Sequence, residues 1–135
     1  MAWVSQAVAK DNARVFLRSA YVDENQRVIG CDGHVLMIVS GSTEKPGYYC
    51  PKTYLPTDCD YKYPDIDRVM AGEYKDIDVA PELHHDHIKV GDYAYDLKYW
   101  SYHGFGDPII LHAACGKLLL KEGSRSILLM PKVID

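Results

Sequence analysis

The sequence predicts an α+β fold, mainly antiparallel sheet with one or two short helices, in a single domain spanning residues 1–135. Three observations predict it. Apolar runs rich in β-branched or aromatic residues flank turn dipeptides at Asp32-Gly33 and Gly91-Asp92. Three more such runs follow one another in the C-terminal third. Only the opening stretch spaces its apolar residues as a helix does without meeting Gly or Pro. A chain of 135 residues suits one core and is too short for two comfortable ones.

In chain order, Trp3, Val4, Ala7, Val8 and Ala9 predict an amphipathic helix over residues 2–10, running to about Asn12. Residues 15–22 then read as a strand, closed by the polar turn Asp23-Glu24-Asn25-Gln26. Val28-Ile29-Gly30-Cys31 and Val35-Leu36-Met37-Ile38-Val39 follow as a hairpin, with Asp32-Gly33 supplying the positive φ angles of its turn. Between residues 41 and 64, Pro46, Pro51, Pro56 and Pro64 exclude a long helix or a central strand. One short strand near Tyr48 to Cys50 is expected there. Tyr63-Pro64 reads as an extended entry to a loop or short helical turn. The best candidate for a second helix, residues 74–85, is interrupted by Pro81. Over residues 88–99, Tyr93, Tyr95, Leu97 and Tyr99 alternate with Ala94, Asp96 and Lys98, which puts the large rings on one face of a hairpin. Ile109-Ile110-Leu111-His112, Leu118-Leu119-Leu120 and Ile127-Leu128-Leu129-Met130-Pro131 complete the sheet, with turns at Ala114-Cys115-Gly116 and Glu122-Gly123-Ser124.

Composition narrows the function. With 47% apolar and 25% charged residues the chain is not a disordered one. Eleven tyrosines against two Phe and two Trp favour rings that sit half in water. Fifteen basic and nineteen acidic side chains leave a net charge of −4, so nucleic acid would need a local basic patch. Cys31, Cys50, Cys59 and Cys115 form no Cys-x-x-Cys pair, and the first residues lack the basic and apolar regions of a signal peptide. No apolar run approaches the roughly 20 residues of a membrane helix. Free thiols, a cytoplasmic location and no membrane contact are the expectation.

One cluster offers metal chemistry. In Glu82-Leu83-His84-His85-Asp86-His87, a strand puts His85 and His87 on one face and a helical turn pairs His84 with His87. A third ligand could come from Asp86, Glu82, His103 or His112. Cys31 with His34, and His112 with Cys115, lie near turns but form no recognisable nucleophilic pair. Asp65 with Asp67, and Asp76 with Asp78, read as solvated acids. Nor is there a Gly-rich phosphate loop, a nucleophile elbow or a paired-carboxylate signature. No catalysis and no cofactor are therefore expected, beyond an adventitious divalent metal at His84, His85 and His87.

Three segments fall in an order that carries a resemblance. Asp32-Gly33-His34 with Leu36 follows the first helix, Tyr63-Pro64-Asp65-Ile66-Asp67-Arg68-Val69 lies mid-chain, and Met130-Pro131 lies near the end. Together with Arg14 and Leu17 they resemble a domain of the bacterial DNA polymerase III beta subunit, the sliding clamp. Cys31 stands where clamps have Thr, Val35 where they have Arg, and Lys132 and Val133 where they have Met and Arg.

That resemblance implies a DNA-clamp-like single domain without catalysis, of a phage or prophage type, acting in or on DNA replication or repair. By the same resemblance Asp32, Gly33, His34, Leu36, Met130 and Pro131 would line a groove for clamp-binding peptides of replication or repair proteins. Clamps encircle DNA as rings of six such domains with helices facing the duplex. One domain per chain reaches that ring only as a homo-oligomer, and Lys10, Arg14 and Arg18 would then face DNA. Two other readings are a metal-dependent enzyme built on the histidine cluster and a small interaction module that retains only the clamp scaffold.

Overall fold

The structure, a computed structural model, describes residues 1–9, 17–59 and 62–132. Its first helix, α1, is Ala2–Ser5. It is shorter than the predicted run to Asn12, because no side chain caps its start and the Ala9 N–H turns away to the carbonyl of Leu17 at 2.9 Å. Residues 10–16 lie outside the described residues. Of the predicted strand over 15–22, the described residues 17–22 form a strand at β1, Ala20–Val22.

β2 (Val28–Cys31) and β3 (Val35–Val39) form the expected hairpin. β4 (Gly47–Tyr49) is the short strand expected in the proline-rich stretch, and β5 (Pro56–Thr57) pairs with it. Asp65 caps α2, Ile66–Met70, by accepting the Arg68 N–H at 3.3 Å. Residues 74–85, the best candidate for a second helix but interrupted by Pro81, form β6 (Tyr74–Asp76) and β7 (Glu82–Leu83) on either side of that proline. β8 (His87–Val90) and β9 (Tyr93–Asp96) make the next hairpin, which ends earlier than the tyrosine alternation predicts. The Asp96 carboxylate accepts the Lys98 N–H at 2.9 Å, so Leu97 and Tyr99 belong to a third helix, α3, Leu97–Trp100. β10 (Ile109–Ala113), β11 (Leu118–Glu122) and β12 (Arg125–Leu129) follow as predicted. The described residues thus hold three short helices where one or two were expected.

Nine strands form one antiparallel sheet in the order β5-β4-β1-β2-β3-β12-β11-β10-β6, and β7-β8-β9 form a smaller one. The succession α1-β1-β2-β3 recurs as α3-β10-β11-β12, and the two units meet where β3 pairs with β12 at the centre. Strand alternation buries both faces of the large sheet. One face carries Val28, Val35, Met37, Leu118, Leu120, Ile127 and Leu129, covered by α1, α3 and the small sheet through Ile88, Val90 and Tyr95. The opposite face carries Ile29, Leu36, Ile38, Leu119 and Leu128, covered by Tyr63 and Ile66 around α2.

Backbone packing fixes α1. A Cβ added to Gly30 would lie 1.9 Å from the Val4 carbonyl oxygen, so the helix rests directly on β2. Side chains then tie α1 and its following turn to the segment after α3. The Trp3 indole donates to the His103 carbonyl at 3.0 Å, the Gln6 amide to the Tyr102 carbonyl at 3.3 Å, and the Trp3 and Phe105 rings stack at 5.6 Å.

Candidate functional site

The β2–β3 turn is built by Asp32. Its carboxylate accepts the N–H groups of His34 at 2.8 Å and Val35 at 3.0 Å, while Gly33 takes a φ of 96°. Beyond the Cys31–Leu36 pair the Asp32 N–H donates to the Val35 carbonyl at 3.3 Å, which closes the turn around Gly33-His34, and Asp32 itself needs no positive φ. The Tyr99 phenol lies close enough to the Asp32 carboxylate to feel its charge. Burial first, and then the neighbouring Asp32 carboxylate, push the Tyr99 phenol well above its ordinary range. The His34 ring lies over the Tyr99 ring at 6.3 Å with an interplanar angle of 22°.

Pairing of β3 with β12 carries the chain end to this turn. Beyond the Leu129–Val35 pair, the Met130 N–H donates to the His34 carbonyl at 3.1 Å. Lys132 then crosses to the small sheet, its N–H donating to the Ala94 carbonyl at 2.7 Å. Pro131 lies between these two bonds, against Gly116, where an added Cβ would come within 3.0 Å of the proline ring. Met130 to Lys132 therefore latch the small sheet to the large one.

Of the six groove residues expected from the resemblance, the fold brings Gly33, His34, Met130 and Pro131 to one end of the large sheet, with the Met130 side chain packed on the face of Leu36 and Leu128 and the His34 ring over Tyr99, which packs against the other face. Gly33 and His34 are exposed, and Met130 and Pro131 are half-buried. Asp32 sits beside them but spends its carboxylate on the turn. Leu36 lies in the core opposite Leu128 at 1% exposure, so it supports the surface from beneath and does not line it. Tyr99 and Lys132 join the site without having been expected. Asp96 placed before Leu97-Lys98-Tyr99, a cap signature, was the available signal for Tyr99.

Lys10 and Arg14 lie outside the described residues. Arg18 is exposed and borders a cleft of about 510 Å³ shared with Val8, Ala9, Pro51 and Lys52. On the helix side, α1 with its following turn exposes Ala2 and Gln6, and α3 with its following turn exposes Lys98 and Ser101.

The histidine cluster pairs His84 with His87, across a strand turn and not along a helix. The His84 N–H donates to the His87 carbonyl at 2.9 Å and the two rings stack at 4.5 Å, 8° from parallel. His87 Nδ1 meets the Asp86 carboxylate at 2.7 Å. That bond, helped by Lys132 at 3.7 Å, holds the Asp86 carboxyl below its ordinary range. His84 Nε2 lies 3.0 Å from a Glu82 oxygen, yet the approach is not aligned as a hydrogen bond and the buried nitrogen makes none. His85 is exposed. Stacked rings direct their lone pairs in parallel instead of converging them. Among the described residues, no group of three or more His, Cys, Asp or Glu side chains is placed to hold a metal ion.

No protein-family model matches the chain, and no curated protein matches it in sequence. Solved structures do match its fold. A DNA polymerase sliding clamp from Pseudomonas aeruginosa, determined with a ligand, superposes with a TM-score of 0.66 at 13% identity, covering 98% of this chain and 62% of that one. The DNA polymerase III subunit beta from Borrelia burgdorferi, in complex with a natural product, gives 0.65 at 11% identity over 99% and 61%. The sliding clamp from Bartonella birtlesii bound to griselimycin gives 0.64 at 10% identity over 98% and 63%. The chain thus has the sliding-clamp fold and spans less than two thirds of the length of the clamp chains it matches.

Proposed function

We propose that this chain is a non-catalytic, clamp-like scaffold that serves DNA replication or repair by docking a short, extended peptide of a protein partner. The docking surface is formed by Gly33, His34, Met130 and Pro131. One observation carries the reading: the Met130 N–H to His34 carbonyl bond brings two segments far apart in sequence together at one end of the large sheet. A partly exposed methionine beside a proline and an imidazole suits an extended segment that buries apolar side chains and bonds through its backbone.

Peptide is favoured over DNA as the ligand. A net charge of −4 repels a phosphate backbone, and the exposed helix-side residues Ala2, Gln6, Lys98 and Ser101 include one cation. The sheet edges favour a chain that acts without closing a ring through strand pairing. β5 opens with Pro56, which has no N–H to donate, and β6 presents the exposed charges Lys75 and Asp76. The stacked geometry of His84 and His87 gives the metal-enzyme reading no support.

The test is fluorescence anisotropy with a labelled peptide of the type sliding clamps accept from polymerases. Saturable binding is expected, weakened about tenfold, or roughly 1.4 kcal/mol, by His34→Ala or Met130→Ala. Absence of binding, or binding that both variants leave unchanged, would overturn the proposal.

A further inference from the structure

A second cleft opens where the chain leaves β6 and passes the β8–β9 turn, its Tyr93 ring and the tail's Pro131 both lying against Gly116. It measures about 180 Å³, and Ile77, Val79, Val90 and Tyr93 give it apolar walls while Asp78 and Asp92 bring two carboxylates to it. Among the described residues, Asp78 and Asp92 have no ion-pair or hydrogen-bond partner. Their situation differs from that of the paired acids. Asp23 and Asp67 hold Arg27, Asp86 holds His87, and Asp32, Asp65 and Asp96 accept backbone N–H groups.

Tyr93 is fixed in place. Its hydroxyl donates to the Ala114 carbonyl at 3.1 Å and its ring lies against Gly116, yet it remains 37% exposed. Val79, at 45%, is also open to an incoming group. Gly91 adds no side chain, and a Cβ built there would meet nothing within 4 Å, so the floor at the turn is open.

We infer that this cleft takes an arginine side chain presented by a partner protein. An alkyl stem suits the valine and isoleucine walls, and a cation suits two carboxylates that lack one. A planar guanidinium distinguishes arginine from lysine: it can lie on the held Tyr93 ring while its fork donates to acids carried on two separate segments. The cleft shares no residue with the turn-and-tail surface, so the inference stands or falls separately from the peptide-docking proposal.

The probe is N-acetyl-arginine amide, titrated into the ¹⁵N-labelled full chain and followed by NMR. His112 also borders the cleft, and the titration is run at pH 8. Saturable shifts confined to the amides around Val79, Gly91, Asp92 and Tyr93 are expected, with a Kd on the order of 1 mM. The uncharged N-acetyl-norleucine amide should produce none, and N-acetyl-lysine amide should bind more weakly than the arginine compound. The double variant Asp78→Asn/Asp92→Asn, and separately Tyr93→Leu, should each reduce the response at least several-fold while the rest of the spectrum stays dispersed. Shifts spread over the whole surface, an equal response to norleucine or lysine, or a double variant that binds as well as the parent would overturn the assignment.

Discussion

Gly30, Tyr95 and His103 each hold a packing contact that no neighbouring residue could replace. Gly30 is the point where α1 touches β2, and the contact is to backbone, which cannot swing aside as a side chain would. Gly30→Ala is therefore expected to lower stability by at least about 1–3 kcal/mol in chemical denaturation, with loss of the Trp3 environment in fluorescence. Tyr95 is buried, and its hydroxyl donates to the Gly116 carbonyl at 2.6 Å. Tyr95→Phe removes the donor, keeps the ring and leaves that carbonyl unpaired, for a cost of about 1 kcal/mol measured the same way.

His103 sits among Trp3, Trp100 and Phe105, and its Nδ1 accepts the Phe105 N–H at 2.7 Å, so the folded state favours the neutral ring. Burial lowers its pKa from the ordinary 6.5. The unfolded chain then binds this proton first. Its contribution to stability is full above pH 6.5 and is lost as the pH falls from there towards the lower folded value. Denaturation midpoints across this range should show that slope, and His103→Phe should flatten it.

At the scale of elements, the short pieces depend on caps and partners more than on their own composition. α3 has four residues and begins at Asp96, so Asp96→Ala should cost about 1 kcal/mol and disturb the His34–Tyr99 stack that rests on the helix. This is also where the sequence misleads. The alternation of Tyr93, Tyr95, Leu97 and Tyr99 continues past the strand end, and the only competing signal is one aspartate. Tyr93 and Tyr95 do share a face, since both hydroxyls reach the β10–β11 turn. The β2–β3 hairpin and the three C-terminal strands were legible because each carries its own apolar run and turn residues. β5, β6 and β7 were not, because strands of two or three residues are held by their neighbours in the sheet. The recurrence of a helix followed by three strands became visible only in the strand order, since α1 and α3 share no residue pattern.

For the whole molecule, the decisive contact is central pairing of β3 with β12. It places His34 against Met130, unites the two repeated units in one sheet and gives the sliding-clamp fold its continuous centre. No local reading of residues 32–36 or 130–131 contains that contact; the resemblance supplied the two segments, and their adjacency came from the register. The same register shows why Leu36 belongs to the core, since it lies on the sheet face beneath α2 and opposite Leu128. Lys132 completes the assembly by bonding to Ala94. Lys132→Pro removes that N–H and should loosen the small sheet selectively, raising amide exchange in β8 and β9 before β11 and β12.

Docking at the joined turn and tail is tested most directly by following the Met130 methyl. With ¹³C-methyl methionine, Met130 can be assigned by its loss in Met130→Leu and watched while the clamp-type peptide is added. A saturable shift of Met130, accompanied by the His34 ring and with Met37 in the core unmoved, is the result expected here. A Met130 resonance that stays still while the peptide binds elsewhere, or a peptide that leaves every methionine unchanged up to millimolar concentration, would contradict it.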